Sequence, residues 1–326
     1  MSTIVKIGVM GCANIARRSV IPAILANEKF ELAAIASRTF SKAQEFGQLF
    51  KVKALEGYDS LFDENIDAIY IPLPTGLHEE WVSKAIKAGK HVLVEKSFGL
   101  SHTSTCRILS LAESRELVAM ENFMFPFHNQ HQEVMQMLSE GVIGSIRNFR
   151  ATFSFPPLEE GNFRYQAEVG GGAILDAAAY TVKAAQVFLG KELQFLSASM
   201  HIDPVRKVDI TGSAHLVYNN RIPVQLSWGF DNYYQCGVEV LGSKGKLTTN
   251  RTYTARDGFE PSAFVETASG LKEVKLPADD HFKKMLHGFY ERIVKKQFKS
   301  SAAEIRQQSF LISEIQNKSI KGVYEA

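Results

Sequence analysis

A chain of 326 residues, 45% hydrophobic and 22% charged, has the composition of a globular protein and length for about two domains. Its 37 Lys and Arg against 35 Asp and Glu leave a formal net charge of +2 with no long like-charge run, which argues against a nucleic-acid partner and for a small molecule. No apolar run reaches the roughly 18 residues of a membrane span, the start MSTIVKIGVMG lacks a basic region and cleavage site, and Cys12, Cys106 and Cys236 lack CxxC spacing, so a cytoplasmic protein without disulfides or zinc is expected.

Ile4 to Met10 reads as a strand stopped by Gly11, and Ile15 to Ala26 carries helical spacing. Pro22, with no backbone donor, predicts a kink or restart inside that helix. Phe30 to Ala36 is again strand-like and Ser41 to Phe50 helical, completing one βαβ unit. The alternation continues through a strand at Ala68 to Ile71, a helix at His78 to Ala88 closed by Gly89, a strand at His91 to Val94, a helix at Ser101 to Ser114 and a strand at Leu117 to Met120. Such alternation predicts an α/β domain over residues 1–122, with a mainly parallel sheet covered on both faces.

After about Asn122 the pattern changes. Helices are expected at Asn129 to Ser139 and from after Gly172 to about Leu189, and strands at Phe195 to Ile202, Asp209 to Tyr218, Ile222 to Phe230, Cys236 to Leu241 and Lys246 to Thr249. Asn219 and Asn220 mark a hairpin turn, and two amphipathic helices, near Asp280 to Val294 and Ala302 to Ile320, follow. Residues 123–326 therefore read as an α+β domain with an open, mostly antiparallel sheet.

The turn Gly11, Cys12, Ala13, Asn14, Ile15 sits between the first strand and the first helix, where free amides at a helix start can receive a pyrophosphate. The second strand ends in Ser37 and Arg38 instead of the carboxylate that NAD-specific sites place against the ribose 2′-hydroxyl. A hydroxyl and a guanidinium suit a 2′-phosphate, with Lys42 one turn further on, so the expected cofactor is NADP(H). The strand through Val94 ends in Glu95 and Lys96, at the sheet edge where ligands bind. Downstream, Gly170, Gly171 and Gly172 open a helix on which Asp176 and Tyr180, four apart, share a face. His128 and His131 lie three apart with nothing to complete a metal site, so no metal is expected.

These motifs, in this order, resemble the glucose–fructose oxidoreductase, inositol dehydrogenase and MocA family across essentially the whole chain. The likeness rests on Gly8 to Ala16, on Pro72, Leu73, Pro74 and His78, on Glu95 with Lys96, and on the triple-glycine helix with Asp176 and Tyr180. Met120 to Phe125 and Arg164, Tyr165, Gln166 are most similar to the nucleotide-sugar C-3 ketoreductases of deoxysugar pathways. The resemblance implies a Rossmann domain with Leu73, Pro74, His78, Glu95 and Lys96 at the cofactor. It also implies a pocket in which Asn122, Phe125, Arg164, Tyr165, Asp176 and Tyr180 meet the substrate.

What the family implies agrees with what these side chains can do. Tyr180 is the expected proton donor in the reducing direction, with the Lys96 ammonium stabilising its phenolate and Asp176 orienting the substrate; Lys96 could itself be the donor. Family members usually follow the lysine with proline, often in a cis bond, whereas this chain has Ser97, which leaves that bond's isomer open. The function implied is reduction of a keto group, at C-3, on a nucleotide-linked deoxysugar. The alternatives are an NADP-dependent dehydrogenase of a free sugar, polyol or dihydrodiol, and a non-catalytic NADP-binding sensor. A homo-oligomer, dimer or tetramer, is implied by the broad β face that relatives bury against another subunit.

Overall fold

The computed structural model describes residues 4–325. They form two compact units, residues 4–123 with 282–309 and residues 124–281 with 310–325.

The first unit is built on six parallel strands, β1 (Val5–Met10), β2 (Phe30–Ser37), β3 (Lys53–Glu56), β4 (Ala68–Ile71), β5 (His91–Val94) and β6 (Ala119–Glu121), in the order 3-2-1-4-5-6. Helices α1 (Ile21–Leu25), α2 (Phe40–Phe50), α3 (His78–Lys87) and α4 (His102–Ser114) intervene along the chain. Strands β4 and β5 are continuous apolar runs because both faces of a parallel sheet are covered. The order reverses between β1 and β4, which opens a crevice at the carboxyl ends of these strands. Ahead of α1 the chain makes a π-helical turn at Ala16–Val20, and Pro22 falls in the first turn of α1. Proline has no N–H to continue an α-helical ladder, so the helix restarts there.

The second unit carries a nine-stranded sheet. Helix α5 (Asn129–Ser139), strand β7 (Ile146–Ser154) and helix α6 (Ala179–Leu189) lead into β8 (Leu193–Ile202), β9 (Asp209–Tyr218), β10 (Ile222–Gly229), β11 (Gln235–Gly242), β12 (Gly245–Thr249), β13 (Ser262–Thr267) and β14 (Gly270–Lys275). Asn219 and Asn220, the central residues of the turn that the Arg221 amide closes on the Tyr218 carbonyl between β9 and β10, both take positive φ. Among β7 to β14, neighbouring strands run antiparallel except β7 with β10. Strand β7, at the centre, was not expected from the sequence: it alternates Phe149, Ala151 and Phe153 inward with Arg150 and Thr152 outward, and its arginines obscure the apolar period. The π-helical turn Ile174–Ala178 and α6 lie on the inward face. The outward face is polar, with Arg150 donating to Gln225 and Glu239, Thr152 beside Ser227 and Ser199 beside Ser213.

Helices α7 (His281–Val294) and α8 (Phe298–Lys318) precede β15 (Ile320–Val323), which pairs parallel with β8 at one edge of the nine-stranded sheet. A boundary at residue 122 does not describe the first unit, because residues 282–309 complete its core. Phe289 stacks on Phe30 at 6.4 Å between ring centroids, and Ala302 and Ile305 join the buried cluster of Ile71, Val94 and Leu109. The buried Ser301 hydroxyl donates to the Ala119 carbonyl at 2.5 Å, and Arg306 pairs with Glu113.

Candidate functional site

Gly11 ends β1 with φ +118°, and its amide donates to the Ala36 carbonyl at 2.8 Å. A methyl group there would come within 2.8 Å of the Leu73 Cδ2, so both the backbone angle and the neighbour demand glycine. Cys12, Ala13 and Ile15 are half-buried and Asn14 is exposed where the helical path begins. A helix start placed at the carboxyl end of the first strand can accept an anion. Behind it, Ser37 is buried at the end of β2, while Arg38 and Lys42 are exposed. Cys12 donates to the Lys42 carbonyl at 3.5 Å, and burial pushes its thiol up. Tyr58, which sequence reasoning missed, stands with Arg38: burial raises its phenol, and the guanidinium works in the opposite direction. These are groups that fit a ribose 2′-phosphate: the residues ending β2 offer a hydroxyl and a cation.

Leu73 is buried and Pro74 half-buried after β4. His78 is fully buried, with Nε2 2.7 Å from the Leu73 carbonyl and Nδ1 2.8 Å from the Ser97 carbonyl. Burial holds this imidazole below its ordinary pKa. His78, expected at the cofactor, ties the segment after β4 to the segment after β5.

The Lys96–Ser97 peptide is cis. Glu95 Oε1 accepts from the Tyr70 hydroxyl and from the Asn122 side-chain amide, each at 2.6 Å. Surrounding protein atoms push the Glu95 carboxyl upward, against Tyr70, Asn122 and the Lys96 ammonium. Asn122, expected at the substrate, is 2% exposed and braces Glu95. Glu121 Oε1 accepts from the Phe98 amide at 2.8 Å, which fixes the chain just beyond the cis bond. Tyr70 and Glu121 were also missed, since a tyrosine inside an apolar strand reads as core.

In the second unit, Gly170 and Gly172 take φ of +80° and +111°. The Gly171 amide donates to the Gln166 carbonyl and the Gly172 amide to the Arg164 carbonyl, both at 2.9 Å. The turn thus holds the segment carrying Arg164 and Tyr165 against the helix start. Asp176 lies in the π-helical turn and Tyr180 in the first turn of α6, so the single α-helical face expected for them is replaced by two kinds of turn. Arg164 Nε donates to Asp176 Oδ2 at 2.5 Å. Tyr165 is buried, its hydroxyl accepts from the Leu158 amide at 3.0 Å, and the Arg206 guanidinium covers its ring at 4.4 Å.

Tyr180 is 8% exposed and sits among rings: Phe153, Tyr253 and Phe125 lie at centroid distances of 5.0, 5.6 and 5.8 Å. Its hydroxyl points to Met124 Sδ at 4.0 Å. Phe125, expected to touch substrate, is fully buried and forms part of this cage. Behind it, His131 packs edge-on against Phe125 at 5.4 Å, and His128 lies 5.7 Å from His281. Burial and neighbouring imidazoles lower His131 to about 3 and His281 to about 4, so these rings are neutral at ordinary pH.

Comparison with known proteins adds to this geometry. The family described as "Oxidoreductase family, NAD-binding Rossmann fold" matches residues 5–123, and the one described as "GFO/IDH/MocA C-terminal domain" matches residues 131–248. The dTDP-3,4-didehydro-2,6-dideoxy-alpha-D-glucose 3-reductase of Actinomadura kijaniata is 40% identical over 89% of this chain and 88% of its own length. The enzyme of the same name from Saccharopolyspora spinosa is 38% identical over 87% and 86%. The crystal structure of KijD10, a 3-ketoreductase from Actinomadura kijaniata in complex with NADP and TDP-benzene, superposes with a TM-score of 0.96 at 37% identity, covering 99% of this chain and 100% of that one. KijD10 was also crystallised with a tyrosine changed to phenylalanine and with a lysine changed to alanine; those two positions are as far apart in sequence as Lys96 and Tyr180 are here. With both halves matched and relatives similar over most of their length, the chain belongs to the GFO/IDH/MocA family of oxidoreductases.

Proposed function

We propose that the protein is an NADPH-dependent ketoreductase that reduces the C-3 keto group of a dTDP-linked 3,4-didehydro-2,6-dideoxysugar. The observation that carries this reading is the full-length likeness to a 3-ketoreductase crystallised with NADP and TDP-benzene. The chain's own residues agree with it: Ser37 and Arg38 end β2 without a carboxylate, and Gly11, at φ +118°, makes the tight turn from β1 into the helical path. When bound, NADPH supplies the hydride to the carbonyl carbon.

In this reading Gly11, Cys12, Ala13, Asn14 and Ile15 line the pyrophosphate, and Ser37, Arg38 and Lys42 take the 2′-phosphate. Leu73, Pro74 and Glu95 border the nicotinamide. Tyr180 gives its phenolic proton to the C-3 oxygen as the carbon receives hydride, and the new alcohol leaves with both. A phenol with a pKa near 10 parts with its proton reluctantly, so the Lys96 ammonium favours the phenolate. Asp176, paired with Arg164, and Tyr165 orient the sugar. The protein acts in the cytoplasm as a homo-oligomer, assembled through the polar outward face of the nine-stranded sheet; no helix among the described residues is long and apolar enough to cross a membrane.

The direct test is loss of NADPH absorbance with the dTDP-linked diketo sugar, beside titrations of NADPH and NADH into the wild type and Arg38→Ala. Turnover, a preference for NADPH, and a roughly 10- to 100-fold weaker NADPH affinity in the variant, as expected for a lost charge-assisted contact, are predicted. Equal affinity for both cofactors sinks the assignment of Arg38. A second reading draws on more distant relatives, a D-xylose 1-dehydrogenase (NADP(+)) of Haloferax volcanii at 31% identity and a trans-1,2-dihydrobenzene-1,2-diol dehydrogenase of Xenopus laevis at 29%. Oxidation of free sugars or dihydrodiols with NADP, in the absence of any turnover of the diketo sugar, would establish it.

A further inference from the structure

Asp209 opens β9 and is buried, yet nothing in the chemistry described so far uses it. A buried carboxyl without partners is costly. This one is spent on the turn that begins the helix of Asp176 and Tyr180: Oδ2 accepts from the Ile174 amide at 2.7 Å. The Ala173 amide also draws on the carboxyl. Its other oxygen lies against Gly172, where a methyl group would collide with Oδ1 and where φ is +111°. On the other side of the turn, Gly171 is pressed against the Arg164 and Gln166 carbonyls, 2.6 and 2.7 Å from where its Cβ would stand. Gly171 is thus small, and Gly172 small and left-handed, for a reason: they let a strand carboxyl and a loop's carbonyls grip the helix start from two sides.

We propose that Asp209 is a positioning residue, the clamp that sets the register of the Gly170–Ile174 turn and so the placement of Asp176 and Tyr180. The proposal rests on the roles given above to those two side chains. Burial pushes the Asp209 carboxyl up to about 7 against the pull of the amides, and in either protonation state an oxygen remains to accept from Ile174. Trp228 flanks the group and favours its ionised form, although the indole N–H makes no regular hydrogen bond. A clamp of this kind acts on kcat, since displacement of a reacting group by about 1 Å can cost on the order of a hundredfold.

The experiment compares the full chain with Asp209→Asn, Asp209→Ala and Gly172→Ala, following kcat and KM for the dTDP-linked diketo sugar, NADPH affinity, and hydrogen–deuterium exchange over residues 166–182. Asparagine keeps one acceptor but turns a donor toward the turn, so it should fall between wild type and alanine. The expected result is a kcat lowered roughly 10- to 100-fold in the alanine variants, with NADPH affinity unchanged and faster exchange confined to 166–182. Folded variants with wild-type kcat and exchange would overturn the proposal. So would exchange raised throughout the chain with weakened NADPH binding, which marks loss of general stability. The exchange measurement needs no turnover. Should the wild type leave the diketo sugar unchanged, the functional reading fails while local exchange still decides the clamp.

Discussion

Three aromatic neighbours pack around the Tyr180 ring and hold it in place, as the proton donor of the proposed reaction requires. Tyr180→Phe keeps the packing and removes the proton; kcat should fall by about 10² to 10⁴, the usual contribution of acid–base catalysis, with NADPH affinity intact. In the proposed reaction, Lys96→Ala should lower kcat and shift the basic limb of its pH profile upward, since there the phenol relies on that ammonium to favour its ionised form. Unchanged limbs would assign the lysine to binding alone. Behind the cage, His131 sets an acid limit on stability. It titrates at about 3 when folded, against 6.5 ordinarily, so between those values the unfolded chain takes up a proton that the folded chain refuses. The contribution of this ring is complete above pH 6.5 and is lost as the pH falls toward 3. Urea unfolding of wild type and His131→Gln should show the variant losing about 1.4 kcal/mol less per pH unit across that interval. Parallel pH dependences would contradict the assignment.

Each element of the first unit that alternates in the sequence is found close to where the apolar spacing puts it, because short buried strands between amphipathic helices leave an unmistakable period. Strand β3, with only half-buried Ala54 and Leu55 between charges, leaves none. Strands β13 and β14 escape for the same reason: Glu266, Lys272, Glu273 and Lys275 stand among their apolar residues, and β14 buries almost nothing. At the candidate site, the turn after β1 and the proposed roles of Ser37, Arg38, Lys96 and Tyr180 are legible as motifs at strand ends and on a glycine-led helix. The braces behind them are not. Tyr70 and Asn122 meet Glu95 only after three strands align, and His78 reaches two carbonyls 5 and 19 residues away. Helix α8 shows the same limit on a larger element. Its Ile305 enters a core whose other members, Ala302 apart, lie more than a hundred residues earlier, so Ile305→Ala should cost about 2 to 4 kcal/mol in chemical unfolding, as a cavity in that core. A loss below about 0.5 kcal/mol, the range of surface substitutions, would place the helix outside the core.

At the scale of the whole molecule, the first unit is discontinuous in sequence, which bears on how the chain can be divided. A fragment ending at residue 123 retains all six parallel strands but lacks Phe289, Ser301, Ala302 and Ile305. Expressed alone, it should melt well below the intact chain and bind NADPH weakly, and adding back a peptide of residues 282–309 should restore both. A fragment as stable as the full chain would show those helices to be dispensable. The chain ordering is also a matter of timing: the sheet cannot complete its core until the last helices have been synthesised.

Strand β15 bears on solubility. All four of its residues are exposed and it buries almost no core, yet it occupies the outer edge of β8, where a bare row of amides and carbonyls would be open to another chain. Beside that row lie Leu196 and, on β15 itself, Ile320 and Val323, all exposed apolar side chains. Ending the chain at Lys318 would therefore leave every proposed catalytic group in place and strip the guard from a ten-residue strand, so that the first symptom would be turbidity and filament growth in storage, well before any decline in turnover.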